Sequence, residues 1–91
     1  MTKIEMRKQG LIALLHFYNE SVTEVEVKFF ETGKYSEKYI HSCSDRLLGM
    51  IQMLSDLGLL KAGELGDLYY LIDCFEKHDY ESSIIERLLE S

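Results

Sequence analysis

The sequence predicts an all-α protein, a long antiparallel helical hairpin plus two shorter helices arranged like a four-helix bundle. Three observations support this fold class. The 91 residues contain no proline, which would break a helix interior. Apolar residues recur every three or four positions over long stretches, and glycine or serine stands where such a pattern stops. A chain of this length has room for one hydrophobic core, so we expect a single domain over residues 1–91.

The first helix is predicted over residues 3–31, although part of it also fits a strand. In SVTEVEVKFF (21–30), apolar and charged residues alternate as they do in a half-buried strand. The helical alternative has one heptad-like seam, which runs Ile4, Leu11, Leu15, Tyr18, Val22, Val25 and Phe29. A strand would not require an apolar seam of this length, and in no other segment do apolar and polar residues alternate convincingly. We therefore predict a helix.

Three further helices are predicted after the first. Gly33 is suited to end a helix and Ser36 to cap the next one. The second helix is predicted over residues 37–60, antiparallel to the first because the connection is short. Its seam runs Ile40, Cys43, Leu47, Met50, Leu54 and Leu57. A third helix is predicted over residues 64–78 and a fourth over residues 80–90, each with apolar residues on one side.

The distribution of apolar residues predicts where the short helices pack. The stretches GLIALLHFY (10–18) and LLGMIQMLSDLGLL (47–60) are apolar on more than one face, so each needs neighbours beyond the other. We expect the third and fourth helices there, at the open end of the hairpin. The end around Gly33 would then project as a two-helix arm (residues 19–46), which is marginal in water by itself. The arm therefore predicts a homodimer or a dedicated protein partner.

The net charge of −6 comes entirely from the second half of the chain. Residues 1–42 hold six acids and six bases, whereas residues 43–91 hold ten acids and four bases. Phosphate backbones repel such a surface, so we expect no direct binding of nucleic acid. An acidic surface is commonly just a solvated one, but it also suits a basic protein partner.

The sequence offers little for catalysis or for a cofactor. The six glycines follow no phosphate-binding motif. Glu37, His41 and Asp45 share a helical face at i, i+4 and i+8, which permits a metal site but is more typical of a solvated stripe. Cys43 and Cys74 are expected to be buried reduced thiols, with a disulfide between them left open. We therefore expect no cofactor, no metal and no enzymatic activity.

Two groups of residues outside the seams are predicted to bind a partner. Aromatic residues dominate the anchors of protein interfaces, and the tip of the arm carries Val27, Phe30, Tyr35 and Tyr39. On the outer side of the third helix, an aromatic residue stands between two acids, as Asp67, Tyr70 and Asp73.

These patterns predict a non-catalytic protein–protein interaction module, a small acidic helical adaptor, inhibitor or regulator. The apolar run LIALLHFY (11–18) is too short to span a bilayer, so we expect no membrane contact and a cytoplasmic location. One alternative is a phage-type inhibitor that occupies a host nucleic-acid-binding or defence protein through acidic mimicry. Another is a small enzyme or metal protein built on Glu37, His41 and Asp45.

Overall fold

The computed structural model describes all 91 residues and contains four helices and no strand, which confirms the predicted all-α, bundle-like fold class. The helices are α1 (Lys3–Thr32), α2 (Glu37–Asp56), α3 (Glu64–Glu76) and α4 (Ser83–Glu90). The ambiguous stretch SVTEVEVKFF lies inside α1. Each helix packs against two others, α1 and α3 both lying between α2 and α4. None of the four combines the length and apolar character that a membrane span requires.

The buried stripe of α1 lies slightly to one side of the predicted seam. Its fully buried residues are Leu11, Leu14, Tyr18, Ser21 and Val25. Of the predicted seam residues, Leu15, Val22 and Phe29 are only partly buried, and Ile4 is exposed. The stripe is turned because α1 packs against α2 on one side and α4 on the other, so the most buried residues face the space between them. The Ser21 hydroxyl fits there because it donates a hydrogen bond to the Phe17 carbonyl oxygen, 2.8 Å away.

Helix α2 ends at Asp56, four residues earlier than the sequence pattern predicts. Gly58 adopts a left-handed conformation (φ 70°), and its N–H donates to the carbonyl oxygen of Ser55. The N–H of Leu59 donates to the carbonyl oxygen of Leu54 over 2.9 Å. This pair of bonds is a Schellman motif, which closes a helix and turns the chain. Leu59 consequently enters the core instead of extending the helix.

The C-terminus of α3 repeats this motif without a glycine. His78 has a φ of 62°, the only positive value outside glycine. Its N–H donates to the carbonyl oxygen of Phe75, and the N–H of Asp79 donates to that of Cys74. Helix α3 therefore ends at Glu76 rather than at residue 78. Helix α4 then begins at residue 83 rather than at residue 80.

The arm predicted from the sequence is covered in part by the rest of the molecule. The Tyr35 ring lies between the Phe29 ring, with centroids 4.4 Å apart, and the His78 ring, 3.6 Å apart. His78 belongs to the α3–α4 connection, which therefore reaches the end of the hairpin. Helix α1 spans the 45 Å long axis, in keeping with about 1.5 Å per residue. The exposed tip is thus shorter than an isolated two-helix arm.

An ion pair and its hydrogen bonds join four parts of the chain at the open end of the hairpin. The Arg7 guanidinium binds the Glu64 carboxylate through two contacts, of 2.5 and 2.8 Å. It also donates to the carbonyl oxygens of Leu59 and Leu88. The Glu64 carboxylate accepts a further bond from the Lys61 N–H, over 2.6 Å. Helix α1 is thereby tied to the α2–α3 loop, to α3 and to the end of α4.

Candidate functional site

The largest recess of the molecule is a groove of about 730 Å³ between α1 and α2. No residue of α3 or α4 lines this α1–α2 groove, which is open to solvent. The chain contains four methionines, and all of them line the groove: Met1, Met6, Met50 and Met53. Methionine side chains are flexible and polarisable, and they are common on surfaces that bind varied apolar partners.

The groove follows from the spacing of residues on the two helices. On α1, the lining residues Met6, Gly10, Ala13 and Phe17 lie at i, i+4, i+7 and i+11, which places them on one face. On α2, residues 46, 49, 50 and 53 form the corresponding face, and Leu57 continues it directly after the helix ends. The two faces lie side by side because the helices pack antiparallel, with the core on their other side.

Small residues form the floor of the groove. The Leu54 side chain contacts α1 so closely at Gly10 that any Cβ there would collide with it. Gly49 has only open space where its Cβ would stand. Ala13 is likewise small and exposed. The floor is therefore low enough for another chain to approach the two helices closely.

Charged side chains are confined to the edges of the groove. The Arg46 guanidinium lies over the Phe17 ring, 4.9 Å from its centroid, and is the only ionisable side chain among the lining residues. An adjoining recess contains Asp45 and Asp56 and shares Gly49 with the groove. The groove thus has an apolar floor and an acidic edge on the α2 side. It holds no pair of groups for acid–base chemistry.

The partner-binding residues predicted near the arm tip divide into two pairs. Val27 and Phe30 are exposed, as expected of a contact surface. Tyr35 is partly buried in its stack with Phe29 and His78. Tyr39 is also partly buried, and the Lys28 ammonium lies 5.1 Å from the centroid of its ring. Burial raises the pKa of Tyr39 to about 12. Both tyrosines already have partners within the chain.

The three residues predicted on α3 do share an exposed face. Asp67, Tyr70 and Asp73 are all exposed. The Asp73 carboxylate pairs with the Lys77 ammonium over 2.9 Å, one turn away on α3, so its charge is partly compensated. Interaction with the Cys74 side chain raises the pKa of Tyr70 above its ordinary value.

No group of three or more histidine, cysteine, aspartate or glutamate side chains is arranged to hold a metal ion. Glu37, His41 and Asp45 are all exposed. The His41 Nδ1 atom lies 3.7 Å from a carboxylate oxygen of Glu76 on α3, so its nearest charged partner is outside the predicted stripe. Both cysteines, Cys43 and Cys74, are buried free thiols, and no disulfide joins them.

Comparison with known proteins gives no further guide to the site. No protein family, no curated protein and no solved structure matched the chain.

The sequence patterns did not point to the α1–α2 groove as a site. They do indicate that residues 10–18 and 47–60 are apolar on more than one face. The expectation was that the third and fourth helices cover the apolar surface that the first two helices do not bury against each other. Those helices cover one side only. The signal that could have shown the groove is the concentration of all four methionines at Met1, Met6, Met50 and Met53, beside the small residues of the two helices.

Proposed function

We propose that this protein is a non-catalytic protein–protein interaction module and that the α1–α2 groove is its docking site. The observation that carries the proposal is the open, apolar groove lined by every methionine of the chain. Contiguous exposed apolar surface is unfavourable in water and commonly marks an interaction site. A single ionisable lining side chain, Arg46, supports docking rather than catalysis.

The compartment proposed for this module is the cytoplasm. Cys43 and Cys74 are free and buried, which suits a reducing environment, where disulfides are rare. Burial of apolar surface would supply most of the binding free energy of docking. The acidic surface would guide a basic partner toward the groove.

The docking function is tested by capture from an extract of the native host with two matched variants. Met53→Arg places a charge on the groove wall, and Tyr70→Arg places one on the outer face of α3. The two parent side chains are similarly exposed, at 63% and 58%, so neither change should affect folding. We expect wild type and Tyr70→Arg to retain the same partner in the same amount and Met53→Arg to lose it. Equal capture by all three proteins would contradict docking in the groove, and no specific capture by wild type would contradict the docking function itself.

A second candidate function, acidic mimicry toward a nucleic-acid-binding protein, is supported by the exposed face of Asp67, Tyr70 and Asp73. The ten acids and four bases of residues 43–91 add to its negative field. Under this alternative, Tyr70→Arg rather than Met53→Arg would abolish capture. Association would also slow steeply as salt is raised.

The homodimer is proposed to form at the hairpin tip. Val27 and Phe30 are exposed there, and the half of the chain to which they belong has no net charge. Two copies can approach through a neutral tip with less repulsion than through the acidic half.

A further inference from the structure

We propose that the α1–α2 groove takes one amphipathic α-helix of a partner protein, about three turns long, with lysine or arginine residues along the edge that faces α2. This inference rests on the proposed docking function and specifies the chemistry of the partner.

The walls of the groove select a helix over an extended strand. Both walls are α-helices, and their interior backbone N–H and C=O groups are already bonded within α1 and α2. A strand added to a sheet edge needs free backbone groups, which these walls lack. An amphipathic helix needs only an apolar groove for side chains at i, i+3 or i+4, and i+7.

The dimensions of the groove set the length of the helix. From Met6 to Phe17 the α1 wall covers 11 steps of helix, or roughly 16 Å at 1.5 Å per residue. That distance corresponds to about three turns. The small residues Ala13 and Gly49 keep the floor low along this length, whereas the space above Gly10 is filled by Leu54 of α2. Helices pack at about 8–10 Å between axes, depending on the side chains at the contact, so a low floor permits close packing of a third helix.

The charges at the edge determine the polarity of the occupant. Asp45 and Asp56 are exposed on the α2 side and make no ion pair within the chain. They are also 11 residues apart on α2, so they stand near the two ends of the same three turns. Basic residues on the occupant would meet both carboxylates. Arg46 stands at the same end of the groove as Asp45, but its guanidinium lies over the Phe17 ring and forms no ion pair with that carboxylate.

A second copy of the chain is a poorer occupant than a basic helix. Each copy carries a net charge of −6, and a two-fold contact through the groove would bring two acidic edges together. Like charges across an interface disfavour association. The charge of the chain therefore points to a different, basic partner.

The methionine methyl groups provide a direct test, since all four lie in the groove. The full chain, labelled with ¹³C at the methionine methyls, is titrated with two synthetic helical peptides. Both carry leucines at i, i+4, i+7 and i+11, and they differ in having lysines or glutamates along one edge. We expect the lysine peptide to shift the methyl signals of Met6, Met50 and Met53 and to bind at least about tenfold more tightly than the glutamate peptide.

Charge reversal locates the acidic edge. Asp45→Lys with Asp56→Lys should weaken binding of the lysine peptide about tenfold and strengthen that of the glutamate peptide. The matched control, Asp67→Lys with Asp73→Lys, changes the net charge equally on the outer face of α3. It should leave the ratio between the two peptides nearly unchanged.

Three outcomes would overturn the proposal. The first is no methyl shift with either peptide, and the second is equal affinity for both. The third is a shift on raising the protein concentration without peptide, which would identify a second copy as the occupant. If either of the first two occurs while Met53→Arg still abolishes capture from extract, the basic-helix proposal fails and the docking function stands. If extract capture is unaffected by Met53→Arg, the docking function in the groove fails independently of the peptide result.

Discussion

Arg7 and Glu64 lie 57 positions apart in the chain, and their contact shows which residue-level features a sequence pattern misses. Periodicity relates residues three, four or seven positions apart on one helix. It does not show that a guanidinium on α1 binds a carboxylate at the start of α3. Both side chains are largely buried, with 13% and 9% exposed. Sequence reasoning counted them only as one base in the first half and one acid in the second.

Removing the charge of Glu64 should destabilise the fold. Glu64→Gln keeps the size of the side chain but leaves the buried Arg7 guanidinium without a counter-charge. Breaking a buried pair by removing one partner is strongly destabilising. We expect the free energy of unfolding in urea at pH 7 to fall by about 2–3 kcal/mol. The control Glu86→Gln, at an exposed position of α4, should change it by less than about 0.5 kcal/mol.

The same pair predicts a dependence of stability on pH. Hydrogen bonding from Arg7 lowers the pKa of Glu64 below its ordinary value of 4.5. As the pH falls, the Glu64 carboxylate is therefore protonated more readily in the unfolded state than in the folded state. The contribution to stability is fully present above pH 4.5 and is lost as the pH falls through the folded-state pKa. The difference in unfolding free energy between wild type and Glu64→Gln should therefore shrink below pH 4.5. A difference that stays constant down to pH 2 would contradict this origin.

At the scale of elements, the existence and type of the helices could be predicted, whereas their ends could not be predicted fully. The long seams indicate α1 and α2 because a spacing of three and four persists over many turns. Gly33 also marks the end of α1, where its N–H donates to the Phe29 carbonyl oxygen. The end of α2 is different, because Leu59 and Leu60 continue the apolar run while Gly58 has already turned the chain. At α3, histidine occupies a left-handed position for which glycine is the usual signal.

Two glycine substitutions should separate the turn from the helix interior. Gly58→Ala places a side chain at a φ of 70°, and the neighbouring Lys3 ammonium, 3.4 Å from the added Cβ, can move away. The cost is therefore conformational, about 1 kcal/mol of unfolding free energy. Gly49→Ala lies within α2 with no atom near its Cβ, so it should instead stabilise the fold by about 0.5–1 kcal/mol. Urea denaturation of both variants checks these signs, and an equal effect of both would contradict the assigned end of α2.

At the scale of the whole molecule, the fold class followed from the sequence, but the surface left free for a partner did not. Four amphipathic helices can only bury their apolar stripes against one another. This consequence does not depend on where each helix ends or on how it is rotated about its axis. The free surface depends on the rotation of each helix about its axis. Val25 lies in the core of the single chain, and Tyr35 is covered by His78. A charge at Val25 would consequently unfold the chain instead of reporting on its assembly.

Self-association through the hairpin tip is best tested at Phe30, which is 83% exposed. The matched control is Ile4, which is 79% exposed at the other end of α1. Burying a phenylalanine side chain contributes roughly 1.5–3 kcal/mol, and a two-fold interface buries one from each copy. We therefore expect wild type and Ile4→Ser to form the same dimer in sedimentation at rising concentration, while Phe30→Ser weakens it by about tenfold or more. Wild type that stays monomeric at millimolar concentration would contradict a homodimer, and a dimer weakened by Ile4→Ser instead of Phe30→Ser would move the contact to the open end of the hairpin.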